Sequence, residues 1–184
     1  MKIINTDIKE VFLIQPDIFG DSRGYFYESY NRKKFAEHGI FYDFVQDNIS
    51  KSKRNTIRGL HYQIGDKAQG KLCQVIKGSV LDIVVDIRFG SPTFGKYIIG
   101  ELSEENHNLI WVPPGFAHGF CVTSDEAIFH YKCTEFYSPA DERAILYNDE
   151  DLNISWNISE PLVSEKDLRA KKFKEIDKDF IYGV

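Results

Sequence analysis

The chain is poor in the features that build metal centres, disulfide frameworks and phosphate loops. Its three cysteines, Cys73, Cys121 and Cys133, form no C-x-x-C pair, and each sits in an apolar run. That usage excludes a disulfide-stapled scaffold and predicts buried free thiols in a reducing compartment, which places the protein in the cytoplasm. The five histidines are scattered, and His61-Tyr62-Gln63 offers one imidazole where a two-histidine metal site needs a close pair. No metal or other cofactor is therefore expected. A glycine-rich phosphate loop is absent. No run approaches the roughly eighteen apolar residues of a membrane span, and MKIINTDIKE carries charges where a signal peptide needs an apolar core. Positive charge is not in excess either, since the net charge is −5, which argues against a nucleic-acid partner.

What the chain does have is aromatic and β-branched bulk. Ten tyrosines and fourteen phenylalanines in 184 residues favour pleated structure, and that length fits one domain able to bury its own core. From Ile57 to Val122, glycines at 65, 70, 78, 90 and 95 cut the sequence into short strand-like segments. Such spacing predicts a sandwich or barrel and not βαβ units. Val80–Arg88 alternates most clearly, with Leu81, Ile83, Val85 and Ile87 on one face and Asp82, Asp86 and Arg88 on the other. That pattern predicts one apolar and one charged environment. Further strands are predicted over Tyr25–Tyr30, Phe41–Val45 and Ala127–Phe136. Asn31 before Arg32 and Gly39 after His38 bracket a short helix. A capped helix is expected after Ser164, carrying Leu168, Phe173, Ile176 and Phe180, so the reading is one domain over 1–184 with a helical tail from about 164.

The chemistry centres on Arg58-Gly59-Leu60-His61-Tyr62-Gln63. If 57–63 and 71–77 form a hairpin, Lys71 lies diagonally across from His61 on one face. An ammonium there disfavours protonation of the imidazole and suits a general base; an exposed hairpin histidine is the plain alternative. Tyr131 in His130-Tyr131-Lys132 can serve as a proton donor or a core ring, and Tyr137 can stack on a flat base or simply pack. Asp167 stands three residues after Ser164, which a capping box explains, although a carboxylate could also orient the histidine. Arg23, Gln46, Asn48, Arg58, Lys71 and Lys166 could together clamp a diphosphate. Spacing alone leaves these alternatives open.

Several long stretches occur in one order: FGDSRGYFYESY, FVQDNISKS, IRGLHYQ, AQGKLCQVIKG, VDIRFGSPTFGK, PPGFAHGF, YKCTEFYSP and SEKD. In these, from about residue 10 to residue 167, the chain resembles the dTDP-4-dehydrorhamnose 3,5-epimerases. The resemblance implies a mainly β, antiparallel two-sheet jelly roll of cupin type with a few short helices, working as a homodimer without metal. Its implied substrate is dTDP-4-dehydro-6-deoxy-D-glucose, a 4-keto sugar whose C3 and C5 hydrogens flank the carbonyl. By resemblance, His61 is the base and Asp167 its partner, which reverses the capping preference. Lys71 steadies the enolate, and Tyr131 returns a proton from the opposite face. Arg23 and Glu28 would contact the nucleotide partly across the dimer. Gln46, Asp47, Asn48, Arg58, His118, Glu142 and Lys166 would contact the substrate, with Tyr137 stacking on thymine. Two positions depart from the family pattern: Ala144 stands at a usual glycine and Tyr147 at a usual tryptophan, both near Glu142. The rival readings are a C3-only epimerase or ketoisomerase of a related sugar, and a non-catalytic sugar-nucleotide-binding cupin. Retention of His61, Lys71, Tyr131 and Asp167 together argues against the latter.

Overall fold

In the computed structural model, which describes residues 1–183, the chain opens with strands β1 (Lys2–Asn5), β2 (Phe12–Gln15), β3 (Ile18–Asp21) and β4 (Gly24–Tyr27). Helix α1 (Arg32–Ala36) follows, capped by the Asn31 side chain on the amides of Lys33 and Lys34, as the sequence predicts. Next come β5 (Gln46–Lys53), β6 (Ile57–Gln63), β7 (Lys71–Lys77) and β8 (Ser79–Asp86). Strands β9 (Tyr97–Ser103), β10 (Leu109–Val112), β11 (Phe116–Val122), β12 (Glu126–Cys133) and β13 (Glu142–Ala144) complete the sheets before α2 (Glu165–Leu168).

One sheet runs β1-β2-β10-β7-β12-β5, a second runs β13-β6-β11-β8-β9, and β3–β4 is a separate hairpin. Every pairing between these strands is antiparallel. From β5 onward the chain crosses between the two sheets at nearly every turn, which is how a jelly roll is wound. The expected fold class is thus observed. Between the sheets, Val75, Val84, Ile110, Phe120 and Phe129 form a buried core. Ile83, Val85 and Ile87 cover the outer face of the five-stranded sheet with Leu152 and Trp156. Leu72, Leu109 and Trp111 pack outside the six-stranded sheet against Phe35 and Ile40.

Three local expectations are corrected. Strands β6 and β7 do not pair as a hairpin, because they belong to different sheets. The stretch 41–45 is not a strand; Phe44 packs edge-on against Tyr30 and Trp111, while Gln46–Lys53 forms the strand instead. That strand is inverted in polarity: Gln46, Asn48, Ser50 and Ser52 turn inward, and Asp47, Ile49, Lys51 and Lys53 turn to solvent. The charged face of β8 is buried as well, with Asp82 and Asp86 fully enclosed. Asp86 is held there by Arg88, Ser91 and Thr93. Finally, the tail beyond α2 is extended apart from a 3-10 turn at Phe173–Glu175. Its backbone bonds go to Leu146 and Phe89, which draws Ile176 onto the outer face of the sheet and replaces helical bonding.

Candidate active site

The inverted strand β5, with β6, β7, β11 and β12, leaves a polar gap in the core between the sheets. It is a cleft of about 700 Å³ lined by Arg58, His61, Lys71, His118, Tyr131, Lys166 and Asp167, with Phe120, Phe129 and Leu162 as apolar walls. A second arm of about 290 Å³ is lined by Gln46, Asn48, Gln69, Tyr137 and Glu142. His61, Lys71 and Tyr131 line both arms, so they stand where the two meet.

The local backbone makes this placement possible. Strands β6 and β11 approach so closely that a Cβ on Gly59 would lie 2.5 Å from Gly119 Cα, and a Cβ on Gly119 would lie 2.8 Å from the Arg58 carbonyl oxygen. Only glycine fits at either position. Around them the pairing slips between His118 and Phe120, after which His118 pairs His61 and Phe120 pairs Arg58. The slip breaks simple alternation, so Arg58 and His61, three residues apart, both line the cleft.

His61 Nε2 lies 2.7 Å from Asp167 Oδ1. The carboxylate is 3% exposed and also receives the Gly59 amide at 3.5 Å. Burial pushes the Asp167 carboxyl up, but the hydrogen bond and charge of His61 outweigh it, and the net displacement is downward. An ionised Asp167 fixes the proton on Nε2 and leaves Nδ1 as the accepting atom. The capping reading also holds, since the Ser164 hydroxyl accepts the Asp167 amide at 3.1 Å. Backbone and side chain of one residue do the two jobs.

Across the cleft, Tyr131 and Lys71 come from the opposite sheet. Tyr131 pairs Cys73 and Cys133 pairs Lys71, so the phenol and the ammonium are diagonal neighbours. Burial pushes the Tyr131 phenol up to about 12, so it keeps its proton at neutral pH. At the mouth, Glu142 joins Tyr137, whose hydroxyl donates at 2.7 Å, and Lys166. Burial raises the Glu142 carboxyl, yet the bonds from Lys166 and Tyr137 bring it below its ordinary value. Glu142 keeps this position despite Ala144, which pairs with His61, and Tyr147, whose carbonyl accepts the Trp156 indole N–H at 2.7 Å.

Three expected residues are not brought to the cleft. Asp47 faces outward by strand alternation and pairs with Lys132 at 2.7 Å. Arg23 sits on the exposed β3–β4 hairpin bound to Asp21, and Glu28 pairs with Lys34. Sequence reasoning missed Asp82, which lies 2.9 Å from His118 Nε2 through both oxygens. Burial raises its carboxyl, and His118 offsets this only in part. An acid in the middle of the apolar run Val80-Leu81-Asp82-Ile83-Val84 was the available signal, since such a group is tolerated only beside a partner.

A histidine held by a buried carboxylate on one wall, with a protonated phenol and an ammonium on the other, gives this jelly roll the groups of an acid–base isomerase. The family model for dTDP-4-dehydrorhamnose 3,5-epimerase matches residues 5–175, and the chain belongs to that family. The chain is 51% identical over 178 residues to the dTDP-4-dehydrorhamnose 3,5-epimerase of Shigella flexneri, covering 96% of this chain and 98% of that one. The dTDP-6-deoxy-D-glucose-3,5-epimerase of Legionella pneumophila, solved with dTDP-4-keto-L-rhamnose, superposes with a TM-score of 0.96 at 48% identity, over 100% of this chain and 99% of that one. A 3'-monoepimerase from Streptomyces bikiniensis, bound to dTDP-quinovose, shares the fold at 32% identity with a TM-score of 0.87, over 92% and 87% of the two chains. Among the described residues, no helix is long and apolar enough to cross a membrane.

Proposed function

We propose that the chain inverts C3 and C5 of dTDP-4-dehydro-6-deoxy-D-glucose, giving dTDP-4-dehydro-L-rhamnose for dTDP-L-rhamnose biosynthesis. The observation that carries this reading is the placement of His61 and Tyr131 on facing sheets at the junction of the cleft's two arms. The C3 and C5 hydrogens are acidic because the C4 carbonyl can take up the electron pair of either broken C–H bond. His61 Nδ1 removes the proton, and Asp167 stabilises the imidazolium. Negative charge moves to the C4 oxygen, where Lys71 supplies a fixed cation. Tyr131 then gives its proton to the opposite face of the carbon and is reprotonated from solvent, while the imidazolium releases the abstracted proton to solvent, so each inversion breaks one C–H bond and forms one. Two donors on two walls are what inversion requires, since a single base returning its own proton would restore the starting centre.

Arg58, His118 and Lys166 in the larger arm, and Gln46, Asn48, Tyr137 and Glu142 in the smaller one, bind the rest of the nucleotide sugar. Tyr137 stacks on thymine, and the cations meet the diphosphate. Asp47 has no part in this set. The protein acts as one domain and as a homodimer in the cytoplasm. Support for the dimer comes from the β3–β4 hairpin, where Phe19, Tyr25 and Phe26 are 65%, 58% and 68% exposed beside Arg23. Such a hairpin can carry Arg23 and Glu28 to a partner's cleft.

The test is proton NMR of dTDP-4-dehydro-6-deoxy-D-glucose with the purified, chelator-treated protein in D2O. Deuterium entering both C3 and C5, with rhamnose formed after reduction, is the expected result, and His61→Ala should abolish both exchanges while leaving the fold intact. Exchange at C3 alone would reassign the chain to the monoepimerases, and no exchange would overturn the reading.

A further inference from the structure

Behind His118, three unlike donor groups converge from both sheets. Asp82 from β8 and His118 from β11 are bonded at 2.9 Å, and Cys73 from β7 places its sulfur 3.9 Å from the same Nε2. All three side chains are buried, and their donor atoms lie within 4.8 Å of one another. The His118–Asp82 bond accounts for those two groups. It does not account for Cys73, which is 0% exposed and whose polar partner among the described residues is that one imidazole nitrogen at a long distance. We propose that Cys73, Asp82 and His118 form a latent inhibitory site for a thiophilic divalent cation, Zn²⁺ or Cd²⁺, with its open coordination position facing the cleft.

Geometry and charge both fit. A tetrahedral zinc with ordinary bond lengths sets nitrogen and oxygen about 3.4 Å apart and nitrogen and sulfur about 3.6 Å apart. The existing separations of 2.9 and 3.9 Å lie within about half an ångström of those values. On binding, the metal takes Nε2, one Asp82 oxygen and the Cys73 sulfur. The proton on Nε2 moves to Nδ1, and the thiol proton leaves to solvent. Thiolate and carboxylate then neutralise the dication, so the buried complex carries no net charge, which removes the main penalty of burying an ion. Hard cations such as Mg²⁺ and Ca²⁺ find too few oxygen donors here. The entry route is the cleft itself, which His118 lines, and Cys73 and Asp82 are reached through that same imidazole. A bound cation would project its fourth ligand into the space left for substrate and pull His118 from its working position.

The test has a binding readout that is independent of the proposed reaction and an activity readout that rests on it. Cd²⁺ is titrated into the purified chain while the ultraviolet thiolate-to-cadmium band is followed, and Co²⁺ reports tetrahedral coordination through its visible bands. One equivalent per chain is expected, with the band lost in Cys73→Ser and kept in Cys121→Ser and Cys133→Ser. Zn²⁺ should inhibit epimerisation, EDTA should reverse it, and Mg²⁺ should have no effect. Cys73→Ser should keep wild-type turnover in the absence of metal and need at least tenfold more Zn²⁺ for half inhibition. A band that survives Cys73→Ser would overturn the site. Stoichiometric binding that leaves turnover unchanged would overturn its inhibitory role.

Discussion

Asp167→Asn keeps the shape of the side chain and removes its charge, which isolates what the carboxylate does for His61. Two donors converge on it, His61 Nε2–H at 2.7 Å and the Gly59 amide at 3.5 Å, and the group is 3% exposed. A carboxamide accepts through one oxygen only. If that oxygen stays on His61, the new NH2 faces the Gly59 amide, donor against donor. A hydrogen bond to a charged group contributes about 1.5–3 kcal/mol. Lost in the imidazolium state, it should lower kcat by about 10- to 150-fold at about 1.36 kcal/mol per tenfold. The mismatch with Gly59 should destabilise the fold by about 1–3 kcal/mol. The folded carboxyl titrates below its ordinary value. Its stabilising contribution is therefore present above the unfolded value, about pH 4, and is lost as pH falls through the lower folded value. Thermal melts should accordingly show a gap between wild type and variant at neutral pH that narrows in acid. A reductase-coupled assay supplies kcat. Turnover within about twofold of wild type, with a gap independent of pH, would refute the orienting role.

Lys71→Met preserves the stem and removes the cation proposed to meet the C4 oxygen; kcat should fall about 10²- to 10³-fold with little change in dTDP affinity measured by calorimetry. Gly119→Ala drives a Cβ to 2.8 Å from the Arg58 carbonyl oxygen and 3.1 Å from Gly59 Cα, so β6 and β11 must part. It should cost about 1–3 kcal/mol in denaturant unfolding and lower kcat as well. Gly20→Ala, whose Cβ meets nothing nearer than 3.7 Å, should cost neither.

A sandwich or barrel was legible because turn glycines and alternating segments are local signals, its jelly-roll form came from the resemblance, and α1 was legible because Asn31 caps it. The inverted strand β5 was not legible, since its inward polar face serves a cleft that exists only when both sheets are assembled. The same holds for Asp82, placed on the charged face of β8 by alternation but buried because the opposite sheet lies over it. His61 and Lys71 were matched to one site for a mistaken geometric reason: they meet across the sandwich and not along a hairpin. The role of Asp167 came from resemblance, as capping alone explained its position. Asp47 shows the limit of transferring a contiguous motif, because alternation turns it away from Gln46 and Asn48.

The central claim is that His61 and Tyr131 serve opposite faces of the sugar. Tyr131→Phe tests it most directly, by following both deuterium uptake and configuration at C3 and C5 of dTDP-4-dehydro-6-deoxy-D-glucose in D2O. The account predicts that deuterium still enters, returned by His61 with retention, while inverted product falls at least about 100-fold. Inverted product forming at the wild-type rate would contradict it.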